Sequence, residues 1–118
     1  MSYEWFVAAK QGDYKKLKKL LEKGINVNSQ NINGQTALII MFTKAKFLIR
    51  NDIKKYTKCM ELLIEYNINV NLPDIYGNTA LIYAMESGYS NFMILLLNAN
   101  ADPNLQNNQG ESPFSIAM

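Results

Sequence analysis

Two landmarks recur in register along this chain, and their spacing restricts the fold more than any other feature. Gly34-Gln35-Thr36-Ala37-Leu38 returns as Gly77-Asn78-Thr79-Ala80-Leu81 and, more loosely, as Gly110-Glu111-Ser112-Pro113-Phe114. Leu20-Leu21…Gly24-Ile25-Asn26-Val27-Asn28 returns as Leu63-Ile64…Asn67-Ile68-Asn69-Val70-Asn71, and then as Leu96-Leu97…Asn100-Ala101-Asp102-Pro103-Asn104. In both series the later copies lie 33 residues apart and the earlier ones 43. Self-similarity at such a period marks small supersecondary units that bury their apolar faces against one another.

The residues inside the period specify helices and turns. Thr36, Thr79 and Ser112 are suited to cap helix N-termini, each accepting a bond from an otherwise unpaired backbone N–H. Pro113 then falls at a first helical position, where its missing donor costs nothing. Ala80, Leu81 and Ala84 recur at helical spacing, with small side chains where helices approach closely. Gly24, Asn67 and Asn100 follow second helices, at a place that favours left-handed backbone. Gly34, Gly77 and Gly110 suit tight turns. Ser2 is expected to cap a first helix running to Lys10, and a second helix is expected from Asp13 to about Lys23.

The period and motifs resemble the ankyrin repeat, a turn followed by two antiparallel helices in about 33 residues. The resemblance spans essentially the whole chain and is strongest from Asp74 to Asn104. It departs from the family at one motif: the Thr-Pro-Leu-His signature reads Thr-Ala-Leu-Ile, and the chain contains no histidine. The hydrogen bonds a family histidine would make between units must be replaced or lost. The resemblance implies an all-α solenoid of about three full helix-turn-helix units plus a truncated fourth, with short β-hairpin turns between units. As one domain over 1–118, its units are expected near 1–30, 31–73, 74–106 and 107–118. Met93, Leu95 and Leu96 are expected to face outward at the far end, where the array could continue or self-associate.

The ten extra residues of the second unit fall near 46–55. Asn51-Asp52 reads as a turn and cap pair, with both flanking helices lengthened. Insertions in repeat arrays often map to one face. Phe47, Leu48, Arg50, Lys54 and Lys55 therefore form a candidate epitope, with a longer helical hairpin packed on itself as the alternative.

Composition limits the chemistry. The 118 residues are 48% apolar and 19% charged, ordinary for a globular domain. The longest apolar runs fall far short of a membrane span. An acid stands near the N-terminus where a signal peptide has a base. Cys59 is the single cysteine, so no internal disulfide forms. A reducing compartment is the expected location: cytoplasm, nucleus or a host's cytosol. The heavy use of Asn, Lys, Ile and Tyr fits an A+T-rich coding sequence.

Without histidine the commonest general base near neutral pH is missing. Cys59 has no histidine partner and reads as a small core residue. Glu61 and Glu65 lie one helical turn apart and read as a solvated face. The Asn and Asp residues near the turns match the repeat, not a calcium loop. No catalytic residue, metal site or cofactor is expected.

Charge is distributed unevenly. All twelve bases lie within the first 58 residues, which carry a net +8, whereas residues 59–118 hold six acids and no base. An anionic partner or nucleic acid on the basic half, with Tyr14, Phe47 and Tyr56 interleaved, is an alternative to a solvated lysine face. The resemblance itself implies a protein partner on a concave surface. The turn positions of that surface are Ile32, Asn33 and Gln35; Ile75, Tyr76 and Asn78; and Asn108, Gln109 and Glu111. Its helix positions are Lys10 and Gln11, Thr43 and Lys44, and Glu86 and Ser87. Tyr76 is the leading anchor. Ile32 and Ile75 either flank it or pack between neighbouring turns.

Overall fold

A computed structural model describes residues 2–43 and 50–117. Of the residues singled out above, Lys44, Phe47 and Leu48, and the side chains of Ser2, Arg50 and Asn51, lie outside the described set. Among the described residues seven helices follow in order: α1 Ser2–Gln11, α2 Tyr14–Glu22, α3 Ala37–Met41, α4 Arg50–Glu65, α5 Ala80–Ser87, α6 Ser90–Asn98 and α7 Pro113–Ala117. Helices α1, α3, α5 and α7 stack in one row, and α2, α4 and α6 in a second row behind it. Among the described residues none is in a strand. The expected β-hairpins are turns, each closed by a pair of backbone bonds such as Gly77 N–H to Asp74 O and Asp74 N–H to Asn78 O, both 3.0 Å.

The helix ends follow local rules. Ile39 N–H donates to Thr36 Oγ1 at 3.3 Å, Ile82 N–H to Thr79 Oγ1 at 3.4 Å and Ser115 N–H to Ser112 Oγ at 3.1 Å. Asp13 caps α2 in the same way through Lys16 N–H. Ser2 is itself the first residue of α1 and not its cap; helix ends commonly shift by a residue. Gly24, Asn67 and Asn100 each adopt positive φ, at 94°, 64° and 70°. The next residue's N–H then reaches back, Ile25 to Leu20 O, Ile68 to Leu63 O and Ala101 to Leu96 O. That is one termination motif used three times.

Of the insertion, residues 50–55 are helical. Helix α4 has 16 residues against nine in α2 and α6. Asn51 and Asp52, expected as a turn and cap, lie inside its first turn. Asp52 is favoured there by the positive helix end and by Lys55, 3.8 Å away.

The core runs unbroken between the rows through Trp5, Leu17, Leu38, Met60, Leu63, Leu81, Phe92 and Leu96. Cys59 is fully buried at the position Phe92 occupies one period later. Phe92 stacks edge-on against Phe42 and Tyr89, with 5.6 Å between ring centroids in each pair. Of the outward face expected of Met93, Leu95 and Leu96, Leu96 is corrected, while Met93 and Leu95 are half-buried. Leu96 is fully buried because it points between the two rows, and the exposed apolar residues of α6 are Ile94 and Leu97.

Asparagine side chains supply the polar ties. Ile39 and Ile82, where the family motif has histidine, are buried apolar residues. Asn69 N–H donates to Asn28 Oδ1 at 2.7 Å, and one period on Asp102 N–H donates to Asn71 Oδ1 at 2.8 Å. Asn71 Nδ2 also donates to Asn100 O. Each bond links one helix pair to the next, so exposed and half-buried amides between the pairs find partners without a histidine. No helix among the described residues is long and apolar enough to cross a membrane.

Candidate functional site: the turn tips and the first-helix row

Three turns project from the first-helix row, and each is organised by one side chain. Asn31 Oδ1 accepts from the N–H groups of Asn33 and Gln35 at 3.0 and 2.9 Å. Asp74 Oδ1 accepts from Tyr76 and Asn78, both at 3.0 Å. Asn107 Oδ1 accepts from Gln109 and Glu111, both at 2.9 Å. Such Asx arrangements satisfy the turn's own amides and leave the next two side chains at the tip. Sequence reasoning missed this role of Asn31, Asp74 and Asn107. The signal was present, since they share the 33- and 43-residue spacings.

Neighbouring tips are also tied to each other. Ile75 N–H donates to Asn33 O and Asn108 N–H to Tyr76 O, both at 3.0 Å. Asn108 Nδ2 donates to Ile75 O at 3.0 Å. The approach is close: a Cβ on Gly77 (φ +78°) would stand 2.9 Å from Asn108 N, and one on Gly34 (φ +73°) 3.0 Å from Ile75 N. Only glycine fits both the conformation and the gap.

The residues expected at the tips divide into two sets. Ile32 is 95% exposed, Ile75 53% and Tyr76 62%, so Ile32 and Ile75 project outward more than they pack between turns. Asn33, Asn108, Gln109 and Glu111 are exposed beside them. Gln35 and Asn78 are half-buried at the tip bases. Gln35 accepts from Asn31, and Asn78 donates to Tyr83 Oη and accepts from Asn107. On the helix row Lys10, Gln11, Thr43 and Glu86 are exposed, while Ser87 turns its hydroxyl back to Ala84 O at 2.7 Å. Lys54 and Lys55 are exposed on α4, in the row behind.

The two ends of this strip differ in electrostatics. At the α1 end, a groove of about 400 Å³ is walled by Tyr3, Phe6, Val7 and Ile40 and edged by Lys10, Thr43, Asn31 and Gln35. Further along, Tyr83 Oη donates to Asp74 Oδ2 at 2.5 Å. Burial, that bond and the nearby Asp74 and Glu86 carboxylates push the Tyr83 hydroxyl up to about 12.

Other chemistry is poorly placed. Burial pushes the Cys59 thiol up to about 11, with Asp13 adding to the effect, so it stays protonated near neutral pH. Among the described residues no three His, Cys, Asp or Glu side chains group as metal ligands. Of the aromatic rings expected to interleave with the lysines, Phe47 lies outside the described residues and the other two are occupied. Tyr56 is buried and donates to the Lys10 carbonyl, and Tyr14 lies under Lys58, whose Nζ is 5.1 Å from its ring centroid.

No characterised protein matches the chain in sequence. The family model for ankyrin repeats does match, in three copies over residues 5–107. With the paired helices, repeated termination motif and projecting turns already described, the chain belongs to the ankyrin-repeat family.

Proposed function

We propose that this chain is a non-catalytic protein-binding module that engages its partner through the turn tips and exposed first-helix residues. Ankyrin repeats are in general protein–protein interaction modules. The observation that carries the finer reading is the row formed by Ile32, Ile75 and Tyr76. Three large apolar side chains stand exposed on turns whose backbones are locked by side-chain caps and inter-tip bonds. A rigid loop bearing an exposed aromatic binds with little ordering cost, and aromatic anchors dominate interface energies. The reading takes the chain as one domain with units at 1–30, 31–73, 74–106 and 107–118. Each unit from the second onward contributes one tip.

The test is capture from a nuclease-treated lysate of the source cell or its host, comparing the chain with a Tyr76→Ala/Asn78→Ala variant by mass spectrometry. A protein enriched by the first and lost with the second supports the reading. Identical sets from both baits contradict it.

A second reading is favoured by Leu97 and Phe114, 45% and 59% exposed at the α6–α7 edge. In it that edge self-associates. Light scattering that shows mass rising with concentration, and falling again with Leu97→Asp, would favour this reading.

A further inference from the structure

We propose, resting on the concave-surface reading, that the first-helix strip selects an acidic peptide segment bearing an apolar side chain and binds it in one direction. The apolar side chain fills the groove between Tyr3, Phe6, Val7 and Ile40, and the carboxylates lie over Lys10. Three observations meet there. The groove walls are apolar, and the only charged residue in its described lining is a lysine. Lys10 is exposed, and its carbonyl accepts from Tyr56 Oη, which anchors the backbone carrying it. The wider field has the same sign, since the first 58 residues carry +8.

The opposite end of the strip supplies the direction. The position of Lys10 in α1 is held by Thr43 after α3 and by Glu86 in α5. The row therefore runs from cation through neutral hydroxyl to anion. Glu111 extends the negative end at the last tip. A peptide laid with its carboxylates over Lys10 keeps them away from Glu86 and Glu111. Reversed, the same peptide sets its carboxylates against Glu86, and like charges in contact are strongly disfavoured. Ile32, Ile75 and Tyr76 lie on the tips beside this row and supply apolar contact independent of direction.

The experiment is selection of binders from a random linear-peptide display library on the full chain. The leading peptide is then measured by fluorescence anisotropy against the chain and its Lys10→Glu, Lys10→Gln, Glu86→Lys and Tyr76→Ala variants, each checked for helicity. Enriched peptides should pair an apolar residue with neighbouring carboxylates. Lys10→Glu should weaken the leading peptide about ten-fold and Lys10→Gln less, with both losses shrinking at high salt. Glu86→Lys should let the sequence-reversed peptide, poorly bound by the parent chain, approach the original. Peptides without acidic bias, indifferent to Lys10→Glu yet lost with Tyr76→Ala, would overturn this inference and leave the concave-surface reading standing. No enrichment, or indifference to both substitutions, would overturn both. A chain mass that falls from dimer to monomer with Lys10→Glu would assign the groove to a second copy and overturn the peptide inference.

Discussion

At the edge formed by α1 and α2, Lys16 and Lys19 hold the positions that Cys59 and Leu62 hold in α4 and that Phe92 and Leu95 hold in α6. Cys59, Leu62 and Phe92 are buried and Leu95 is half-buried. Lys19 is exposed and Lys16 half-buried, and Lys16 pairs with Glu4 at 3.6 Å. At the α6 edge the opposite holds. Leu21 is 6% exposed, Ile64 is half-buried and their counterpart Leu97 is 45% exposed. Phe114 is 59% exposed where its counterpart Leu81 is buried. One edge carries the polar residues of a solenoid cap, and the other keeps the apolar residues of an interior unit. A repeat position thus has no fixed chemistry of its own; what covers it decides.

The comparison breaks most visibly at its largest side chain. Phe92→Ala should cost about 3–5 kcal/mol in urea unfolding, because a fully buried ring leaves a cavity against Phe42 and Tyr89. Lys16→Ala, at the same repeat position, should change stability by no more than about 0.5 kcal/mol. Equal losses would mean that the first edge is not solvated.

Glycines give a second contrast. Gly77→Ala should destabilise by about 2–3 kcal/mol, from left-handed strain and a Cβ pressed on the next tip's backbone. Gly110 has similar φ, +79°, but nothing within 4 Å of its Cβ position. Gly110→Ala should therefore cost only the strain, about 1 kcal/mol. Asparagines give a third. Asn71→Ala removes bonds to Asp102 N–H and Asn100 O and should cost about 1–2 kcal/mol in the same assay. Asn104, the exposed counterpart one period on, should tolerate alanine within about 0.5 kcal/mol.

The smallest effect is one of pH. The Cys59 thiol is pushed from 9.0 to about 11 and the Tyr83 hydroxyl from 10.0 to about 12. Both groups are held neutral by the fold, so the unfolded chain loses these protons first. Their contribution is complete below about pH 9 and is lost as pH rises through 11 to 12. Cys59→Ala should flatten the fall between pH 9 and 11 and leave the Tyr83 part. A slope unchanged by that substitution would contradict the assignment.

The helix caps at Thr36 and Thr79, the left-handed Gly24, Asn67 and Asn100, and the turn glycines were legible in sequence. Each obeys a rule that involves only a few neighbouring residues. The asparagine ladder was not. Asn28 and Asn69 meet across 41 residues, and their heavy use reads in sequence as codon bias although it forms the polar seam of the stack. The extension of α4 was half legible: the insertion pattern predicted longer helices, but a turn at Asn51-Asp52 obeys the same local preferences as the helix start that forms. At the site, the exposure of Ile32 and Tyr76 followed from repeat register. The ties of Gln35, Asn78 and Ser87 depend on neighbours that register alone does not specify.

The most direct test of the account is the affinity of the partner captured by the chain, measured against surface variants on both faces. Ile32→Ala and Tyr76→Ala lie on the tips; Lys18→Glu lies on the outer face of α2, and Leu97→Asp at the α6 edge. The account predicts about a ten-fold or greater loss with Tyr76→Ala, a smaller loss with Ile32→Ala and little change with the other two. Binding that survives both tip substitutions and fails with Lys18→Glu or Leu97→Asp would contradict it.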